Sequence, residues 1–133
     1  MELAREERII LFYSFIILLG IAICYSIISA LLRTNKFLVT VTSNSMEPTL
    51  KKGDIAIIKN VEDIRVGDII VFESRGDLYI HRVVGIDQEY YITKGDAYSY
   101  PDLGKINRER ILGKVVAKIP YLGYLNIFLE GKL

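Results

Sequence analysis

The sequence of 133 residues has one cysteine and one histidine. A single cysteine allows no intramolecular disulfide and no cysteine-based metal cluster. A single histidine excludes a histidine-rich metal site. An excess of charge of one sign is also missing: 17 Lys and Arg stand against 16 Asp and Glu, a net charge of +1. A general grip on phosphate needs clustered positive charge, so nucleic acid is not an expected partner. No low-complexity tract and no repeat of fixed period is seen. What is plentiful is apolar: 51% of residues are hydrophobic, beside 25% that are charged. In a chain with room for one ordinary domain, that combination means that the apolar residues are concentrated in one place.

They are concentrated near the start. Ile9–Leu32 is a run of 24 residues without a formal charge, bounded by Arg8 and Arg33. As a helix, at about 1.5 Å per residue, it would reach roughly 36 Å, enough to cross a hydrocarbon core of about 30 Å with some tilt. The apolar stretch of a cleaved signal peptide is about 7–15 residues, so the length favours a retained anchor. Cys24 lies inside this run and reads as a small packing residue. Arg5 and Arg8 before the run nearly balance Arg33 and Lys36 after it, and Glu2, Glu6 and Glu7 weigh little, so charge bias does not orient the span. The organisation expected is a flank over 1–8, a transmembrane anchor over 9–32 and a domain over 33–133. That domain holds 15 basic and 13 acidic residues, near the size at which one core suffices.

Beyond the anchor the pattern is β, with no helical period of ten or more residues. Strands are expected at Phe37–Thr42, Asp54–Lys59, Asp68–Glu73, Leu78–Ile86, Tyr90–Thr93 and Ile111–Ile119. Two of them follow Gly-Asp pairs (Gly53-Asp54 and Gly67-Asp68), and Arg75-Gly76-Asp77 makes a turn. Short strands divided by Gly/Asp turns predict a mainly β domain, a small antiparallel sheet of barrel-like form. The tail over 120–129 is apolar and aromatic but too short to span a bilayer. It reads either as core packing or as a patch on the membrane surface.

Three segments could carry chemistry. Ser45 lies in Thr42-Ser-Asn-Ser-Met-Glu-Pro-Thr49, directly after the first strand. A serine at such a turn can be exposed beside free backbone N–H groups able to hold an oxyanion; alternatively, Ser, Asn and Pro simply make a turn. His81 lies in a strand whose alternation puts Tyr79, His81 and Val83 on one face. A neutral imidazole, with a reference pKa of about 6.5, is the usual base for a serine; a surface or hydrogen-bonded core histidine is the plain alternative. Asp96 and Asp102 lie in the loop after the fifth strand. One of them could fix the tautomer of His81, or both could serve as turn and capping residues.

Taken together and in order, these segments resemble the type I signal peptidases, in particular the branch found in archaea, the endoplasmic reticulum and some sporulating bacteria. Ser43-Asn-Ser-Met-Glu-Pro48 is similar to that family's Ser-Gly-Ser-Met-Glu-Pro box. Lys52-Gly-Asp54 and Val66-Gly-Asp-Ile-Ile-Val71 look like its next two segments. Ile80-His-Arg-Val-Val84 matches the box where this branch carries histidine in place of the bacterial lysine. Thr93-Lys-Gly-Asp96 begins its aspartate box, and Gly113–Val116 with Lys118–Tyr121 looks like its closing strand. The resemblance implies a serine endopeptidase that cuts signal peptides from exported preproteins after small residues at A-x-A-like sites. It implies Ser45 as nucleophile, His81 as general base and Asp102 as the group orienting His81, with Asp96 as supporting or alternative acid. Ser43 and the Ser45 N–H would form the oxyanion hole, and Met46 and Pro48 would shape the turn. No metal and no organic cofactor is implied. Preprotein signal peptides and the lipid bilayer would be partners, with a secretion translocon or signal peptidase complex subunits beside them. The domain would lie on the extracytoplasmic face of a cell membrane, or the lumenal face of the endoplasmic reticulum membrane.

The sequence departs from the family pattern at a few points. Asn44 stands for a glycine, and Asn tolerates left-handed backbone. Ala97 and Tyr98 stand for two asparagines, and Pro101 for an acidic residue. Two other readings compete. One is a non-catalytic membrane-anchored β module that binds exported chains or a secretion complex. The other is a self-cleaving regulatory protease of the Ser-Lys type; an anchor where that type has a DNA-binding part, and His81 at the base position, count against it.

Overall fold

The computed structural model describes residues 5–32 and 37–131. Glu2, Arg33 and Lys36, which entered the charge count above, lie outside the described residues, as does the 32/33 domain boundary on its C-terminal side. The chain divides into two compact units, Met1–Leu31 and Leu32–Leu133. The first carries helix α1, Arg5–Leu32, which is long and apolar enough to cross a membrane. None of its residues is buried. Its outline follows from the uninterrupted apolar run, in which Gly20 and the scattered serines cost less than the intrahelical ladder gains.

The second unit is one sheet of seven antiparallel strands: β1 (Leu38–Thr40), β2 (Ile55–Lys59), β3 (Ile69–Ser74), β4 (Asp77–Asp87), β5 (Tyr90–Lys94), β6 (Ile106–Asn107) and β7 (Ile111–Ile119). Their spatial order is β1-β2-β7-β3-β4-β5-β6. The mainly β, antiparallel expectation holds, but the sheet is open, with β1 and β6 at its two ends. The six expected strands are present with ends moved by a few residues. β6 was not expected. At two residues it is too short to show a period, and only its pairing with Tyr90 and Tyr91 defines it.

Turn chemistry sets the registers. Arg75 (φ 54°) and Gly76 (φ 86°) are both left-handed between the paired Ser74 and Asp77, the two-residue hairpin geometry that matches strand twist. The two Gly-Asp pairs close the same device. Asp54 Oδ2 accepts the Lys51 N–H at 3.1 Å and Asp68 Oδ2 accepts the Arg65 N–H at 2.9 Å. In each, the glycine before the aspartate has positive φ, as a left-handed third turn position requires. Both aspartates then lead into strands.

The core has two parts. Ile64, Ile70, Phe72, Val83, Ile106 and Ile111 form one cluster. Val41, Met46, Leu50 and Ala56 form the other, with Ile69, Ile80 and Val115 packed against it. The second cluster lies directly beneath the Ser45 turn. The apolar tail becomes a short helix, α2 (Gly123–Leu129). Its Gly123 and Ile127 are buried, while Leu125, Phe128 and Leu129 are exposed. The core-packing expectation for the tail describes its inward face, while its outward face is apolar and exposed. Seven residues are too few to show a helical period in the sequence.

Candidate active site

Ser45 is set by the residues around it. Val41, at the end of β1, donates its N–H to the Asp54 carbonyl at 2.9 Å. Five residues on, Met46 is 1% exposed, and Leu50 beyond it 2%. The chain must turn between these anchors, and the Glu47 and Leu50 N–H groups close that turn onto Asn44 and Met46. Ser45, half-buried, stands at its crest. Met46 thus roots the turn in the core. Pro48 is exposed and follows a cis peptide bond. Asn44 is not among the residues with positive φ, so its tolerance of left-handed backbone is not used. The substitution of asparagine for glycine needs no such explanation here.

His81 is buried in the middle of β4, with Ile70 of β3 as its cross-strand neighbour. The rings of Phe72, Tyr79 and Tyr98 approach its imidazole edge-on, at centroid distances of 6.2, 6.3 and 6.3 Å. This packing leaves the ring few alternative rotamers. Its Nε2 lies 3.3 Å from Ser45 Oγ, and its Nδ1 lies 2.5 Å from Asp102 Oδ2. An ionised carboxylate can only accept, so Nδ1 carries the hydrogen and Nε2 offers a lone pair to the serine hydroxyl. The 3.3 Å separation is at the loose end for proton transfer, a common feature of sites without substrate. Ser43 Oγ lies 3.2 Å from Ser45 Oγ.

The two aspartates have different surroundings. Asp102 joins His81. Asp96 turns to Arg82, which donates Nε–H to Oδ1 at 2.8 Å and Nη2–H to Oδ2 at 2.6 Å. The Thr49 hydroxyl donates to the same Oδ2 at 2.6 Å. The Arg82 hydrogen bonds hold the Asp96 carboxyl below the usual aspartate range, outweighing its partial burial, and Thr49 adds to the effect. Arg82 is raised in turn by the same partner. This bidentate pair ties β4 to the loop after β5 and, through Thr49, to the serine turn. The Ala97 N–H donates to the Ser45 carbonyl at 3.0 Å. Gly95 permits that approach, because a Cβ on it would sit 2.7 Å from the Ser45 carbonyl oxygen.

Sequence reasoning assigned no part to Arg82, Thr49 or Tyr98. Nothing in the spacing of Arg82 and Asp96 announces their pairing, which comes from the loop's path and not from a strand register.

A cavity of about 460 Å³ opens beside Ser45. One wall is β1 and its extension, Val39–Ser43; the other is Asp77–His81 of β4; Asn126, Ile127 and Glu130 close one side. Both strands present unpaired edges to it. Among the described residues β1 pairs only with β2, and β5 pairs with β4 only from Arg82 onward. Val83 exchanges backbone hydrogen bonds with Gly67 and Asp68. By the alternation of an antiparallel ladder, Leu78 and Ile80 then turn their N–H and C=O groups away from β3, toward the cavity.

A family model described as Peptidase S24-like matches residues 22–116, a stretch that contains the whole Ser45, His81 and Asp102 arrangement. The chain belongs to the Peptidase S24-like family. Similar curated proteins carry the name signal peptidase complex catalytic subunit SEC11. That of Clavispora lusitaniae is 31% identical over 126 residues, covering 84% of this chain and 76% of the relative. That of Scheffersomyces stipitis is 35% identical, covering 69% and 64%. That of Colletotrichum graminicola is 37% identical, covering 70% and 63%. The chain thus spans between 63% and 76% of the length of these relatives. The resemblance to the type I signal peptidases holds at family level, and the S24-like chain is a hydrolase of the serine peptidase class.

Proposed function

We propose that this chain is a membrane-bound serine endopeptidase that removes signal peptides from exported preproteins, with Ser45 as nucleophile, His81 as general base and Asp102 as the group orienting His81. The observation that carries this reading is the continuous hydrogen-bonded line from Ser45 Oγ through the His81 ring to Asp102 Oδ2. The signal peptidase subunits among the relatives supply the substrate class.

The reaction is acyl transfer. His81 Nε2 takes the Ser45 proton as Oγ attacks the scissile carbonyl, and the resulting imidazolium is stabilised by Asp102. The oxyanion is held by the Ser45 N–H and the Ser43 hydroxyl, whose oxygen already lies beside the nucleophile. His81 then returns its proton to the leaving amine. Water, deprotonated by the same nitrogen, attacks the acyl-enzyme and releases it. The substrate binds extended between the free edges of β1 and β4, with main-chain hydrogen bonds for affinity and shallow pockets for small side chains before the cut, the A-x-A pattern. Asp96 and Arg82 support the loop and do not touch the reacting atoms.

The anchor holds the enzyme in the endoplasmic reticulum membrane, or in the cell membrane of a prokaryote, with the catalytic domain on the lumenal or extracytoplasmic side. Confining enzyme and preprotein to one bilayer raises the effective substrate concentration without any new contact. The exposed Leu125, Phe128 and Leu129 of α2 rest on that bilayer. The relatives' names make further subunits of a signal peptidase complex natural partners, and a secretion translocon would deliver the preproteins.

Against a Ser-Lys self-cleaving protease stands the identity of the base. The side chains beside Ser45 Oγ are Ser43 and His81, while Lys94 donates to the carbonyls of Gly95 and Tyr98. Against a non-catalytic β module stands the aligned Ser-His-Asp line itself. The test is cleavage of a membrane-embedded preprotein by the purified chain in lipid, beside Ser45→Ala and His81→Ala. A product ending after a small residue, lost in both variants, is expected. Undiminished cutting by Ser45→Ala would refute the reading.

A further inference from the structure

Thr93 is 0% exposed, one of the few buried polar residues of the described domain. It lies on β5 opposite Val83, two residues along β4 from His81 on the same face of the sheet. Its hydroxyl donates to Asp102 Oδ2 at 2.7 Å. That is the same oxygen that accepts from His81 Nδ1 at 2.5 Å. Its carbonyl also accepts the Asp102 N–H at 2.8 Å. One residue therefore grips Asp102 at both its backbone and its carboxylate. Asp102 needs such a grip, because it sits in a loop of exposed residues: Ala97–Pro101 before it and Leu103–Lys105 after it. Nothing in a strand register fixes its χ angles.

We propose that Thr93 is a positioning residue of the site: its buried hydroxyl and carbonyl together fix the Asp102 carboxylate so that His81 keeps its hydrogen on Nδ1 and presents a bare Nε2 to Ser45. The inference rests on the peptidase reading above for its consequence in catalysis, but not for the geometry it asserts. A rotating carboxylate would present the His81 N–H with a changing acceptor, and the imidazole would then populate the other tautomer, whose Nε2–H cannot take a proton from serine. Thr93 is wholly buried, so its hydroxyl meets the carboxylate from the protein side and not from solvent.

The experiment compares wild type with Thr93→Val, which keeps the branched shape but loses the hydroxyl; with Thr93→Ala, which loses it with less bulk; and with Thr93→Ser, which keeps it. Because His81 is the only histidine of the chain, the ring nitrogens of the ¹⁵N-labelled full chain in detergent micelles give one unambiguous set of signals. Recorded at a pH where the ring is neutral, the expected result is an Nδ1–H tautomer in wild type and Thr93→Ser, and a mixture in the variants without the hydroxyl. In preprotein cleavage the same two variants should lose about tenfold in kcat, the scale of one charge-assisted hydrogen bond, with KM unchanged. Thr93→Ser should recover most of the loss. An unchanged tautomer in every folded variant lacking the hydroxyl would overturn the proposal. So would equal losses in Thr93→Ser and Thr93→Ala. The tautomer measurement needs no substrate, so it decides the role of Thr93 even if the wild-type chain cuts no preprotein.

Discussion

Exchanging the carboxylate for an amide at Asp102 and at Asp96 separates the roles of the two aspartates. In Asp102→Asn the NH₂ group can take the place of Oδ2, where the Thr93 hydroxyl, a donor at 2.7 Å in wild type, turns to accept one of its hydrogens. The NH₂ group then faces His81 Nδ1 as a donor. The ring answers by moving its hydrogen to Nε2, which points it at Ser45 and removes the base. In serine triads the corresponding change costs about 10⁴-fold in kcat, or ~5 kcal/mol at 1.36 kcal/mol per factor of ten. Here we expect about 10³- to 10⁴-fold, because the 3.3 Å Ser45–His81 separation leaves that step less tightly set to begin with. The global fold should hold, since the Asp102 side chain is 27% exposed and its backbone bond to Thr93 remains. Asp96→Asn is the mirror case. It puts an NH₂ in place of one carboxylate oxygen, facing either Arg82 Nε at the Oδ1 position or Arg82 Nη2 and the Thr49 hydroxyl at the Oδ2 position. A hydrogen bond to a charged group is worth about 1.5–3 kcal/mol. The Arg82 side chain is 31% exposed, which lowers its share. We therefore expect Asp96→Asn to destabilise by about 2–4 kcal/mol while costing the folded enzyme less than about tenfold in rate. The assay is preprotein cleavage in lipid well below the melting temperature, paired with thermal melts of the same preparations. A larger rate loss in Asp96→Asn than in Asp102→Asn would refute the assignment of Asp102.

Acid should expose the same asymmetry through stability. The folded Asp96 carboxyl lies below an unfolded aspartate's 3.8, held there by Arg82. Its contribution is therefore complete above that pH and disappears as pH falls through the lower folded value. Chemical denaturation between pH 6 and about 2 should show wild type losing more stability than Asp96→Asn; parallel losses would remove Asp96 from that account. His81→Lys should stay within about tenfold of His81→Ala and not approach wild type. The lysine would pair its ammonium with Asp102, among the rings of Phe72, Tyr79 and Tyr98 that fit an imidazole; activity near wild type on the same preproteins would contradict this. Gly95→Ala should lower both stability and rate, since its Cβ meets the Ser45 carbonyl oxygen at 2.7 Å, and a wild-type melt would show that the loop yields without cost.

The sheet was legible because its signals are local. The short apolar run after Gly53-Asp54 reappears as a strand, Ile55–Lys59, with every second residue buried, and each Gly-Asp pair closes a turn whose hydrogen bonds span only three residues. β6 and α2 were not legible, because two and seven residues carry no period. Each exists through a distant partner: β6 through Tyr90 and Tyr91, α2 through Asn126, which donates to the Thr40 hydroxyl at 3.0 Å. The openness of the sheet belongs to the same class. Strand content does not say whether the first and last strands meet, since that depends on accumulated twist and on bulges such as the one between Val83 and Gly85.

The site divides along the same line. Ser45 and His81 could be put forward as candidates because a turn after a strand and a period-two face are sequence-local properties, and their roles followed only from the resemblance of the ordered segments to the type I signal peptidases. The choice between Asp96 and Asp102 could not be made that way. Both lie in one loop, six residues apart, and what separates them is which cation or ring each meets across the fold. Arg82 decides it. It neighbours His81 on β4, so its side chain leaves the opposite face of the strand and draws Asp96 with it by two hydrogen bonds. Asp102, with no cation beside it among the described residues, is held by the neutral hydroxyl of Thr93 and the N–H of His81. A carboxylate neutralised by arginine would be a poor partner for a developing imidazolium, because its charge is already spent on a permanent cation. On the proposed mechanism, the arrangement keeps one aspartate for structure and leaves the other's charge for the step in which His81 becomes positive.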